Sequence, residues 1–146
     1  MALLEIGPHL VERLKGRCES VKGVFMADAL AGVLERGQQS EVLYVTLADY
    51  EPGKDDGSGC TVWRETWLVI LVIKNVTQGP ERANGIYATA SRLLAEVQSA
   101  LAGWQCPPVA VGKIRAASPP APQLTDVFAY FPLAFAVDVL VEGVSD

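Results

Sequence analysis

Residues 62–74 read VWRETWLVILVIK, and this stretch decides the fold. Trp67, Val69, Leu71 and Ile73 fall on one side of an alternating pattern, and Leu68, Ile70 and Val72 on the other. A period of two marks a strand, and two apolar faces mark a strand covered from both sides. In the first part the texture changes: Arg64 and Thr66 alternate with Trp63, Glu65 and Trp67. Fully extended at about 3.3 Å per residue, the stretch would reach about 40 Å, beyond an ordinary sheet. The pattern therefore predicts a long hairpin arm, or a strand bent by a bulge.

Upstream, residues 41–50 (EVLYVTLADY) form a second strand, with Val42, Tyr44, Thr46 and Ala48 on one face and Leu43, Val45 and Leu47 on the other. Between the two strands, residues 51–59 (EPGKDDGSG) are polar, acidic and Gly-rich, which predicts a turn or a long hairpin loop. Its glycines make it costly to order, so the loop is expected to be mobile in an isolated subunit. Downstream, Ile86, Ala90, Leu93, Leu94, Val97 and Leu101 trace one stripe at helical spacing, predicting a helix over residues 80–101. Pro80 suits its first position and Gly103 the position just past its end. Residues 109–116 read as a strand and SPPAP at 118–122 breaks it. Residues 127–142 read as the last strand, with Pro132 implying an edge or a bulge. Its Ala134/Ala136 face is small enough to admit a helix closely.

At the start, Leu3, Ile6, Leu10 and Leu14 predict a short helix, regular from about Pro8 to Lys15 and stopped by Gly16. Val21, Val24 and Phe25 fit a short strand or a turn, and residues 26–36 fit a weak helix or a loop. The order of elements predicts one α+β domain over residues 1–146. Its sheet has four or five mainly antiparallel strands, with helices on one face and a long hairpin arm.

The chain has 146 residues, 50% hydrophobic and 20% charged, with 12 basic against 17 acidic side chains and a net charge of −5. No cluster of four Lys/Arg exists, which argues against sequence-specific binding of nucleic acid. The mean hydropathy of +0.24 points to apolar surface covered by a subunit contact. The longest apolar run, residues 67–73, is far short of the ~20 residues that span a membrane, and the N-terminus lacks the basic region of a signal peptide. Cys18, Cys60 and Cys106 are too widely spaced for a CxxC pair or a disulfide framework, and read as reduced thiols.

Little in the pattern carries chemistry. His9 is the only histidine and has no Cys or Asp partner at metal-ligand spacing. Gly57-Ser58-Gly59 lacks the phosphate-cradling GxxxxGK[ST] pattern. Asp49, Glu51, Asp55 and Asp56 do not follow the order of an EF-hand. The sequence thus supplies no catalytic residue, no metal set and no cofactor loop. What it does supply is a set of docking candidates. The acids Glu51, Asp55 and Asp56 read as a solvated loop whose second use would be to steer a basic partner, and Trp63 either packs against its own domain or, with Arg64 on the opposite strand face, anchors a subunit contact. Trp67 reads as core and Trp104 as a cap on it.

The succession of elements resembles the tail terminator proteins of long-tailed bacteriophages, especially the small tail-completion proteins of Mu-like phages and prophages. The likeness runs from the N-terminal helix ending at Gly16 through EVLYVTLADYEPG, WLVILVIKN, IYATASRLLAEVQSALAGW and VAVGKIRAASPP to VFAYFPLAFAVDVLV. The resemblance implies a structural protein of the virion tail, assembled in the host cytoplasm. It implies a ring, usually a hexamer, on the head-proximal end of the tail tube, where it ends tube polymerisation and offers the surface for head joining. The implied partners are further copies of the chain, the tail tube protein and the head–tail connector, with genomic DNA passing through the lumen. No membrane and no cofactor is implied. Two alternatives remain open at this point: another head–tail connector or tail component, and a small ligand-binding or enzymatic α+β domain.

Overall fold

The computed structural model describes residues 3–36, 40–55, 57, 59–74, 79–106 and 111–142. Asp56, Ser58 and residues 107–110, on which some of the expectations above fall, lie outside the described residues. The elements in chain order are α1 (Ile6–Arg17), β1 (Gly23–Met26), α2 (Leu30–Arg36), β2 (Val42–Asp55), β3 (Cys60–Lys74), α3 (Glu81–Leu101), β4 (Arg115–Ala117), β5 (Gln123–Leu124) and β6 (Phe128–Glu142).

β3 is the centre of the sheet. It pairs antiparallel with β2 on one side and with β6 along its whole length on the other, from Cys60 opposite Glu142 to Lys74 opposite Phe128. β1 adds a parallel edge to β2, and β4 and β5 pair with different parts of β6. The fold is the expected α+β type, mainly antiparallel with a long hairpin. The sheet has six strands where four or five were expected, because β4 and β5 are separate pieces of three and two residues. The parallel pair formed by β1 has no signal in a four-residue stretch as short as GVFM.

Alternation assigns the two faces. Leu43, Val45, Trp67, Val69, Leu71, Ile73, Phe131, Phe135, Val137 and Val139 share one cluster with α1 and α3. α1 contributes Ile6, Leu10 and Leu14, and α3 contributes Ile86, Leu93, Val97 and Leu101. The opposite face carries a smaller cluster, in which Val33 of α2 packs with Val42, Leu68, Ile70, Val72, Tyr130 and Ala134. The two long helices therefore share one face, and it is the large-residue face of β6. The small Ala134 lies under the short α2 cluster.

Several boundaries move for local reasons. The expected loop over residues 51–59 is largely strand: β2 continues to Asp55, with Glu51 opposite Arg64 and Pro52 opposite Trp63. Glu51, Pro52 and Asp55 are thus paired backbone, so the expected loop does not begin at residue 51. Two register shifts, at Leu47/Asp49 and Pro52/Asp55, absorb the non-ideal residues. Gly53 is needed there, since a Cβ would lie 2.8 Å from the carbonyl oxygen of Val62. Gly57 and Gly59, at φ +81° and +87°, make the turn.

Gly16 does not stop α1, which runs on to Arg17 with Cys18 as its C-cap. Pro80 sits at the N-cap of α3, one position before the first helical residue, and Gly103 adopts φ +81° just past its end. Of the strand expected over residues 109–116, the described residues form strand only from Arg115, in β4, and Pro132 fits inside β6 because β4 and β5 pair with residues on either side of it.

One contact sets how α1 meets the sheet. A Cβ on Gly7 would lie 2.8 Å from Cη2 of Trp67 and 2.9 Å from Cε of Met26, so the first turn of α1 rests directly on the indole. The other end of the helix pair is joined by Arg13. Its Nε donates to the Ala100 carbonyl at 2.9 Å, and its guanidinium lies 4.8 Å from the Trp104 ring centroid. α3 has no basic residue in its own last turn. Arg13 therefore supplies the positive charge that favours the helix C-terminus.

Candidate interaction surface

The distal parts of β2 and β3, beside the end of β6, carry the described residues proposed from the sequence. Residues 60–66 alternate between two faces with different chemistry. On the face shared with α1 and α3 stand Trp63 and Glu65. On the other stands Arg64, as the alternation required.

Trp63 is half-buried. Its ring lies 5.8 Å from that of Tyr50, centroid to centroid, and Tyr50 is 49% exposed. The pair forms an aromatic patch on the hairpin. It is anchored in its own subunit by Pro52 and Val139, the strand neighbours of Trp63, and open to solvent through Tyr50. Trp67, two positions on, is 4% exposed and belongs to the core. Trp104 packs against the edge of the same core.

Glu65 was not singled out from the sequence, and it is fully buried. Both its oxygens are used. Oε2 accepts from the Leu4 backbone N–H at 2.7 Å, and Oε1 accepts from the Trp67 indole N–H at 2.9 Å. Leu4 has φ +70°, a conformation that L-residues adopt only when held. The carboxylate supplies that hold, so the start of the chain is tied to the middle of β3. Charge-assisted hydrogen bonds are what make a buried carboxylate without a cation tolerable. Among the described residues no cation pairs with it.

On the opposite face, Arg64 meets carboxylates of its own chain. Its Nη1 lies 3.7 Å from Oε1 of Glu51, and its Nε lies 3.8 Å from Oδ1 of Asp138. Asp138 in turn takes Arg115 in a two-pronged contact, at 3.1 Å and 3.3 Å. The result is a row of alternating charge, Glu51–Arg64–Asp138–Arg115, running across β2, β3, β6 and β4. Its members are 60%, 54%, 25% and 45% exposed at the side chain. A shallow cavity of about 350 Å³ lies beside it, bordered by Glu51, Pro52, Gly53, Val62, Arg64 and Asp138.

The structure therefore brings Glu51, Trp63 and Arg64 together on one hairpin. Asp55 closes β2 opposite Thr61, and Asp56 lies outside the described residues. Asp138 and Arg115 were missed. Asp138 is the only charge between Val127 and Val141, and that break in an apolar strand is a signal the sequence offered.

Burial, with Glu96 nearby, pushes the Cys18 thiol up to about 11, and burial raises Cys106 as well. Both thiols are thus held protonated and unreactive at neutral pH. Burial also raises Tyr130, with Tyr44 adding to it. His9 is exposed at the start of α1. Among the described residues no group of three or more His, Cys, Asp or Glu is placed to hold a metal ion. No helix among them is long and apolar enough to cross a membrane.

Comparison with curated proteins finds no match. The model of the phage tail terminator protein family matches residues 2–144, nearly the full length of the chain. Members of that family are structural proteins of the virion tail that act by contact with other tail components, and they are not catalysts. With a match spanning the helices, every strand and the charged row alike, the chain belongs to the phage tail terminator protein family.

Proposed function

We propose that this protein forms a ring, most simply a hexamer, on the head-proximal end of the tail tube. There it ends addition of tube subunits and presents the surface that the head–tail connector meets. Assembly takes place in the host cytoplasm, and genomic DNA passes through the lumen without sequence-specific contact. The net charge of −5 suits such a passage, since like charge discourages sticking of the DNA backbone.

The observation that carries this reading is the family match over residues 2–144. The hairpin supports it: a half-buried tryptophan beside an exposed tyrosine is the kind of aromatic anchor that interfaces favour. In this reading Trp63 and Tyr50 face a neighbouring subunit or the tube, and Glu51, Arg64 and Asp55, with Asp56, lie around that contact.

The test is tube assembly from purified tube protein with and without this chain. Tubes of defined length, each carrying a rotationally symmetric cap at one end, are expected when it is present. Tubes that grow to the same lengths in its presence and carry no cap would reject the reading.

A further inference from the structure

The charged row on the hairpin is closed in its interior and open at its two ends. Arg64 has a carboxylate on each side, and Asp138 has an arginine on each side. Glu51 and Arg115 each have one partner along the row and stand on strands that are edges of the sheet at this level. β1 covers only residues 42–45 of β2, and β4 is the last strand on the other side.

The two edges carry opposite charge. Residues 46–53 hold Asp49 and Glu51 and no base, whereas residues 111–117 hold Lys113 and Arg115 and no acid. Asp49 shares the face of Glu51, because it stands opposite Thr66, which stands opposite Ala136, the partner of Arg115. Backbone pairing along the β2 edge is discouraged by Pro52 and by the two register shifts, devices that blunt an open edge. Side chains are then left to join such an edge to anything.

Resting on the ring reading above, we propose that a second copy of this chain docks there, the Arg115 edge of one subunit meeting the Asp49/Glu51 edge of the next, so that the row of alternating charge continues from copy to copy. The contact is head-to-tail, since it joins two different edges, and a head-to-tail contact closes into a ring where the rotation between copies closes. It also explains how copies that each carry a net charge of −5 approach one another: the basic edge of one meets the acidic edge of the next.

Charge reversal in two separate variants tests this. Glu51→Arg carries arginine at both ends of the row, and Arg115→Glu carries glutamate at both ends. Each variant alone places like charge at positions 51 and 115 across every subunit contact. Each is expected to need about tenfold or more protein for half-maximal capping of tubes, because like charges at an interface are strongly unfavourable. An equal mixture of the two can alternate around an even-numbered ring, placing opposite charges at every contact, and is expected to restore capping. Loss of the internal contacts with Arg64 or Asp138 cannot be repaired by mixing, so restoration isolates the contact between subunits.

Either variant capping tubes alone as well as the unaltered protein, or a mixture no better than its parts, overturns the proposal while leaving the ring intact. Absence of any cap with the unaltered protein rejects the ring itself. Should a reversal fail to fold, Glu51→Gln and Arg115→Gln read the same contact through salt. Capping by the unaltered protein should weaken as salt rises, and the neutral variants should lose much of that dependence. An unchanged salt response overturns the proposal.

Discussion

The two halves of β3 belong to one strand and answer to different demands. In residues 67–73 every side chain is buried, and neighbours on both faces are apolar. In residues 60–66 only Glu65 is buried; one face carries the charged row and the other the Trp63–Tyr50 pair. Residues 67–73 are covered by α1, α3 and α2 of their own subunit, and residues 60–66 are only partly covered. The difference teaches where one subunit's fold ends and its surface for others begins, and Glu65 with Trp67 marks the boundary.

The sharpest way to break this division is to truncate the side chain at the boundary. Trp67 lies under α1 with its indole N–H on Glu65, so Trp67→Ala should cost about 3–5 kcal/mol of stability. Urea unfolding measures this. A cost no larger than that of Trp63→Ala would remove the distinction between the halves.

Glu65→Ala comes next. It leaves the Leu4 and Trp67 N–H groups without their acceptor, a loss of about 2–3 kcal/mol for hydrogen bonds to a buried charge. Hydrogen exchange at the Leu4 amide should quicken at the same time, while Glu65→Gln, which keeps an acceptor, should lose less. An unchanged Leu4 amide would show that the start of the chain is held by something else.

Gly7→Ala sharpens the comparison from the helix side. The added methyl would press on Trp67 and Met26, and overpacking of that kind costs about 1–3 kcal/mol. Thermal melting reads it. The double variant Gly7→Ala with Trp67→Ala should lose less than the two separately, because the ring that the methyl strikes is gone.

Much of this architecture was legible in the sequence. Alternation through residues 67–73 and 127–141 gave both faces correctly, and the stripe from Ile86 to Leu101 gave α3, because those signals are long and depend only on burial. The α+β class and the long hairpin followed from them. What was not legible depended on tertiary partners. Residues 51–55 look like a loop by composition, yet Glu51, Pro52 and Asp55 pair with Arg64, Trp63 and Thr61, and the register shift between Pro52 and Asp55 takes up Gly53. Gly16 looks like a helix stop, but α1 continues through it to Arg17. Of the surface, Trp63, Arg64 and Glu51 were readable as residue types at a change of texture. Asp138 stood out only as a lone charge in an apolar strand, and its pairing with Arg64 and Arg115 was not readable, because the three lie on strands far apart in the chain and meet only in the folded sheet.

The smallest effect on stability and the most direct test of the account come together at Trp63. Trp63→Ala removes a half-buried ring and its contact with Tyr50, worth about 1 kcal/mol. The measurement is the length distribution of tail tubes grown with this variant, beside its thermal melt. The account predicts a melt close to that of the unaltered protein and long tubes without caps. Tubes of normal length, or a variant that melts as early as Trp67→Ala, would contradict the claim that the distal half of β3 serves assembly rather than the fold.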